Sequence, residues 1–237
     1  FRASVLPSSL AAALSLGELT IDDIDSFGKP NNLTISLFND GVNDFIEFTD
    51  ASESFTSAPT TVPASTLANG GKTLRIPLSA ITGSITVNGA GGSDTLTVDL
   101  TGGNPIPSGG IAFNGGESAG DDDQLKIFGS STVSTITVGH TGAEAGSVVL
   151  SGLGTISYTQ IEPLFVDVPS TDLIINLPAG PNTAMLGDDG IVGNSLSRLS
   201  SSPATFEQTD FSNPTGSLTV NRGSASDTIT VNNLPDF

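Results

Sequence analysis

Ser84-Ile-Thr-Val-Asn-Gly-Ala-Gly-Gly-Ser-Asp-Thr-Leu-Thr-Val98 returns, without a gap, as Ser217-Leu-Thr-Val-Asn-Arg-Gly-Ser-Ala-Ser-Asp-Thr-Ile-Thr-Val231. Outside the four central turn positions the two stretches differ only by exchanging Ile with Leu. Each copy holds two short runs that alternate apolar and polar residues, the period of a half-buried strand. A Gly- and Asx-rich turn joins the runs. Self-similarity of this kind marks a repeat architecture, in which one unit buries its apolar face only against a neighbour. A weaker match precedes each copy, Leu33–Leu37 against Leu173–Leu177. The repeats predict an arm and first strand over 1–26 and a complete β module over 27–165. A second module over 166–237 is half as long, and a neighbouring subunit or repeat would complete it.

Short alternating runs fill the rest of the chain, among them Glu18–Ile24, Leu33–Phe38, Gln124–Phe128, Thr135–Val138 and Leu173–Leu177. They recur about every 10–12 residues, with turn signals between them at Asp40-Gly41, Asn69-Gly70, Asn88-Gly89, Asn114-Gly115 and Asp189-Gly190. The expected fold is all-β, a parallel β-helix or β-solenoid. Tandem β-sandwich modules are the alternative and would put the two matched hairpins in separate sandwiches. Residues 1–20 fit neither pattern. Leu10-Ala-Ala-Ala-Leu14 favours helix, with Ser8 or Ser9 as a cap and Gly17 as a stop. This predicts an irregular or short helical N-terminal arm.

Composition narrows the function. Acidic residues number 25 and basic residues 7, giving a net charge of −18. Phosphate binding needs clustered cations, so nucleic acid and anionic membrane surfaces are poor partners. No apolar run reaches the ~18 residues of a membrane-spanning helix. With no Cys there is neither a disulfide framework nor a thiolate site, and one His excludes a multi-His metal centre. Dense Thr, Val and Ile on a background of Gly, Ser and Asn read as a secreted all-β protein rather than a disordered one. The first residue is Phe1 rather than Met, which fits a processed, exported chain or a fragment.

Several motifs admit chemistry. Gly91-Gly-Ser-Asp-Thr-Leu96 is similar to the glycine-aspartate turns that cage calcium with oxygen ligands. The acidic turns Asp40/Asp44, Asp94 and Asp121-Asp122-Asp123 are the candidate calcium ligands, against a reading in which they cap turns and face solvent. Gly116-Glu-Ser-Ala-Gly120 fits the nucleophile elbow, but Asp residues follow where the elbow needs a helix, so a Gly-rich turn is the reading. His140 reads as a turn or surface residue. Asn32-Leu-Thr34 is a glycosylation sequon. Paired carboxylates for sugar cleavage lack their usual aromatic platform, since the chain has no Trp and one Tyr, Tyr158. No catalytic residue and no required cofactor are assigned; structural calcium is the one cofactor considered.

Taken together, Ser84–Leu100, Ile111–Gly116, Asp122–Ile127, Gly154–Thr159, Ile161–Leu164, Leu173–Gly180, Leu196–Leu199 and Thr209–Leu218 resemble the repeat modules of very large secreted bacterial surface proteins of the adhesin type. The resemblance covers most of residues 30–237. It implies an exported, modular β-solenoid scaffold, adhesive or calcium-dependent, and it transfers no site residue. The expected function is a structural subunit of an extracellular filament or fibrous surface layer, polymerising head to tail with copies of itself. Phe1, Val5, Leu6 and Leu10 at one end and Leu234 and Phe237 at the other are the expected interface. The alternatives are a calcium-dependent adhesin module with a surface or polysaccharide ligand, and a carbohydrate-active β-helix enzyme.

Overall fold

The computed structural model describes residues 9–24, 28–116, 120–234 and 236–237. It is all-β, built from two large open sheets that both mix parallel and antiparallel pairs. The chain enters the first sheet as a hairpin, β1 (Ser9–Ser15) and β2 (Glu18–Asp23). The helical arm expected from the Ala-Leu run is therefore a strand. Leu16 and Gly17 both take positive φ, 53° and 84°, which is the geometry of a two-residue hairpin turn. Pairing with β2 overrides the local helical preference of Ala and Leu.

The chain then crosses to the second sheet as β3 (Asn32–Asn39) and turns back there as β4 (Asp44–Asp50). β5 (Ser54–Phe55) touches the first sheet beside β1, and β6 (Thr66–Ala68) and β7 (Thr73–Pro77) finish this end of the second sheet. Two plain crossings follow. β8 (Ile85–Asn88) and β10 (Ile111–Asn114) lie in the first sheet; β9 (Thr95–Asp99) and β11 (Gln124–Phe128) lie in the second. Next, β12 (Val133–His140), β13 (Gly146–Leu150) and β14 (Gly154–Thr159) form an antiparallel meander in the first sheet. β15 (Leu164–Asp167) returns to the second sheet and β16 (Ser170–Asn176) to the first. A second meander, β17 (Thr183–Asp188), β18 (Leu196–Ser201) and β19 (Thr209–Ser212), occupies the second sheet. The chain closes with β20 (Ser217–Asn221) in the first sheet and β21 (Thr228–Val231) in the second.

Both meanders run backwards along their sheets. β14 lies beside β10 while β12 lies beside β16, and β19 lies beside β15 while β17 lies beside β21. The sheets run unbroken across residue 165, where the sequence repeat places its module boundary. The two matched stretches stand on the same pair of sheets, since β8 and β20 share the first and β9 and β21 share the second. They are also not hairpins. Each is an arch whose two strands belong to opposite sheets and pair in parallel with neighbouring arches. The weaker match is offset, because Leu33–Leu37 lies in β3 of the second sheet and the strand containing Leu173 lies in the first.

Period-2 alternation and parallel register together build the core. In the second sheet Leu33, Leu96, Leu125 and Leu164 stand in one row and Ile35, Val98, Ile127 and Val166 in the next. In the first sheet Leu19, Ile85, Ile111 and Ile156 form the matching row. All of these side chains are buried. Each contributes about 1.5–3 kcal/mol by leaving water. A one-residue slip would turn every row outward, so the rows fix the register.

Candidate assembly edge and buried polar clusters

The repeat places an Asx residue just before strands of the second sheet, and the structure uses it to tie neighbouring arches. The Asp94 carboxylate accepts the backbone N–H of Asn31 at 2.7 Å, and the Asp123 carboxylate accepts the N–H of Asp94 at 2.7 Å. At the other end, Asp227 accepts the N–H of Asn182 at 2.8 Å. A second ladder follows the first-sheet strands. Asn88 donates to Asp22 at 2.7 Å, and Asn221 donates to Asn176 at 2.8 Å. Ser217 likewise donates to Asp172 at 2.6 Å.

Twin residues of the repeat meet different surroundings. Asp94 is 1% exposed, its Oδ2 has no hydrogen-bond partner, and burial lifts its pKa to about 8, helped by the nearby Asp123 and Asp23 charges. Its carboxyl is therefore largely protonated at neutral pH. Burial also pushes at Asp227, but donors from Asn182, Ser224 and Gly223 outweigh it and hold that carboxylate below its ordinary range. The strands differ in the same way. Ile85, Val87, Leu96 and Val98 are buried, with neighbours on both sides. Their counterparts Leu218, Val220 and Ile229 are half-buried, and Val231 is 60% exposed. β20 and β21 are the last described strands of their sheets, and among the described residues no strand pairs with their outer sides.

The expected interface residues fall in several places. Phe1, Val5 and Leu6 lie outside the described residues. Leu10 is buried in the chain's own core, 2% exposed, with β1 held between β2 and β5. Leu234 is half-buried against the core near the open end. Phe237 is exposed, beside Asp236, whose carboxylate accepts the N–H groups of Gly193, Asn194 and Ser195. Those donors hold Asp236 below the usual carboxylate range.

The candidate calcium ligands are dispersed. Asp40 caps its own turn by accepting the N–H groups of Val42 and Asn43, and Asp44 accepts from the Asn39 amide. Asp94 and Asp123 are buried in the ladder, while Asp122 is exposed and its N–H reaches Ser93. Asp121, half-buried, stands two residues from Asp123. Among the described residues, no three His, Asp or Glu side chains gather in a way that would hold a metal ion. Ser118 of the elbow-like motif lies outside the described residues.

His140 is not on the surface. It ends β12 at 4% exposure. Gly146 sits in register between Tyr158 and His140, and its missing side chain lets the Tyr158 hydroxyl reach over it to His140 Nδ1 at 3.1 Å. His140 Nε2 meets the Thr209 hydroxyl of the opposite sheet at 3.3 Å, and Phe206 lies against the ring. Burial drops the imidazole pKa to about 4. Glu207 beside this cluster is pushed up to about 8 by burial, with Glu162 and Glu144 adding to it. Here the aliphatic rows give way to polar groups, where the first meander meets the second. No sequence signal singled out this cluster, whose members are 69 residues apart in the case of His140 and Thr209.

Comparison with known proteins returned no match, neither a family model, nor a curated protein, nor a solved structure.

Proposed function

We propose that this chain is a structural subunit of an extracellular bacterial filament or fibrous surface layer, a β-solenoid interrupted by two meanders. Copies join through the strand edges at its open end. One observation carries the reading. The arch made by β20 and β21 has a twin within the same molecule, made by β8 and β9, that neighbouring strands cover on both sides, whereas among the described residues no strand lies on the outer side of β20 or β21. An uncovered repeat end is a liability that proteins ordinarily cap or pair. The acidic, Cys-free composition and the resemblance to bacterial surface repeats support an exported scaffold.

Light scattering across a concentration series, followed by negative-stain electron microscopy, tests the proposal. Concentration-dependent association is expected, and Thr219→Lys with Thr230→Lys should abolish it, because charged edge residues block strand pairing. A monomer at every concentration would overturn it.

A further inference from the structure

The first meander leaves a cavity where one of its turns meets two crossings between the sheets. The loop that leaves β9, the segment that enters β12 and the β13–β14 turn wall a space of about 220 Å³. All three walls are anchored. The Asn104 amide donates to the Leu153 carbonyl at 2.9 Å, and its Oδ1 accepts the Ile106 N–H at 3.1 Å. The Val133 N–H donates to the Pro169 carbonyl at 2.9 Å, and the Ser151 N–H to the Thr135 carbonyl at 3.0 Å. Leu100, Val133 and Leu153 supply the apolar part of the lining, the first two buried and the third half-buried. Ser131, Thr132, Ser134 and Ser151 supply hydroxyls, and all four residues are exposed. Among the described residues no hydrogen bond engages these four hydroxyls. Elsewhere on the surface such groups are taken up: the Thr101 hydroxyl donates to Asp99 at 2.6 Å, and the Ser201 hydroxyl meets that of Thr205 at 2.9 Å.

We infer that this cavity binds one neutral sugar ring, free or at the end of a polysaccharide. Its size sets the first limit. A water takes up ~30 Å³ of the liquid, so the cavity displaces about seven waters. That is room for a single ring, below the ~300 Å³ at which drug-sized sites begin. The lining sets the second. A hydroxyl donates one hydrogen bond and accepts two, so four of them match ring hydroxyls in either sense. No lining residue is charged, in a chain that carries −18. A carboxylate or phosphate therefore finds no cation there and is repelled by the molecule as a whole. An ammonium group finds no carboxylate in the lining either. The apolar side chains suit the C–H face of a pyranose. Walls already fixed by Asn104, Val133 and Ser151 spare the ligand the cost of ordering them. The site goes beyond the assembly proposed above and is independent of it, since none of its walls belongs to β20 or β21.

Amide NMR of the full chain tests the site with glucose, galactose and mannose, their methyl glycosides, and glucuronate. Each is titrated to about 100 mM, enough to saturate a site with a Kd of ~10 mM. Saturable shifts are expected at Asn104, Ser131, Thr132, Ser134 and Ser151 with at least one neutral hexose, and weaker or no shifts with glucuronate. Binding of the free hexose alone upholds the site for free sugar; binding of its methyl glycoside as well upholds it for a chain end. Ser131→Ala with Ser151→Ala removes two exposed, unpartnered hydroxyls and so leaves the fold intact. It should weaken binding about tenfold or more, at ~0.5–1.5 kcal/mol per hydrogen bond. Ser130→Ala, an exposed hydroxyl outside the lining, should change nothing. No saturable shift with any of the neutral sugars would overturn the inference. So would glucuronate binding as tightly as the hexoses, or equal affinity in the parent and the double variant. None of these results bears on whether copies associate.

Discussion

Asp94→Asn should stabilise the protein at neutral pH and do little in acid. The carboxyl sits inside the arch ladder at 1% exposure, between the Asn31 N–H and its neighbours Asp123 and Asp23. Its pKa is raised to about 8 in the folded chain against 3.8 for an unperturbed Asp. A group raised on folding contributes its stability in full below the unfolded pKa and loses it as pH climbs toward the folded value. Between pH 4 and 7.5 the unfolded chain releases this proton while the folded chain keeps it. A span of that width corresponds to at most ~5 kcal/mol, and relaxation around a buried carboxylate brings a realistic figure nearer ~2 kcal/mol. Asn keeps the oxygen that accepts the Asn31 N–H and has no proton to lose. Urea unfolding of both proteins at pH 4 and pH 7.5 gives the answer. The difference should be small at pH 4 and reach ~2 kcal/mol in favour of the variant at pH 7.5. Equal destabilisation by the substitution at both pH values would refute the protonated, ladder-bound carboxyl.

Further consequences concern the other clusters. His140 should titrate near pH 4 by NMR, unambiguously since it is the single His of the chain. Its stabilising effect is complete above 6.5 and fades as pH falls toward 4, so His140→Gln should flatten that acid limb; a midpoint above 6 would contradict its burial. Gly115→Ala should cost about 2–4 kcal/mol, because the new methyl would collide with the Gln160 carbonyl and the Asp123 carboxylate. Gly142→Ala meets open space and should leave the urea midpoint within about 0.5 kcal/mol of the parent. Of the Asn-Gly pairs, Asn69-Gly70 should deamidate first at pH 8 by mass spectrometry. Gly89 and Gly115 are slowed because their N–H groups, whose nitrogens would attack the side chain, already donate to Asn114 and Thr159 carbonyls. Faster conversion at Asn88 or Asn114 would show that those arches open readily.

The strand content and the kinship of the two matched stretches were readable because both are local. Ser84–Val98 and Ser217–Val231 carry their alternation and turn residues within fifteen positions, and register follows from that alternation. The arch was not readable. A turn of Gly and Asn between two alternating runs serves equally for a hairpin, and only the parallel neighbours β2, β3, β16 and β17 draw the two strands into opposite sheets. The N-terminal strand failed for a related reason, since Leu10–Leu14 has helical propensity and gains its strand partner only from β2.

The reversed meanders lie deeper still. A simple crossing from β11 would put the next first-sheet strand beside β10, yet the neighbour is β14, reached after β12 has gone ahead and β13 has come back. What distinguishes this level is a change in what fills the interior. The row Ile21, Val87, Phe113 and Tyr158 passes from aliphatic to aromatic side chains and then meets Gly146 and His140. A plain aliphatic row would accept a strand in several orders along the sheet. Tyr158 accepts only a neighbour without a side chain, and its hydroxyl then needs a partner one strand further on. The Gly146–His140 pair supplies both. On this argument the polar cluster selects the strand order rather than strengthening it, so Tyr158→Phe with His140→Leu should lose little stability but fold with more than one native signal set by NMR. A single sharp native spectrum from that double variant would show that the order is set elsewhere.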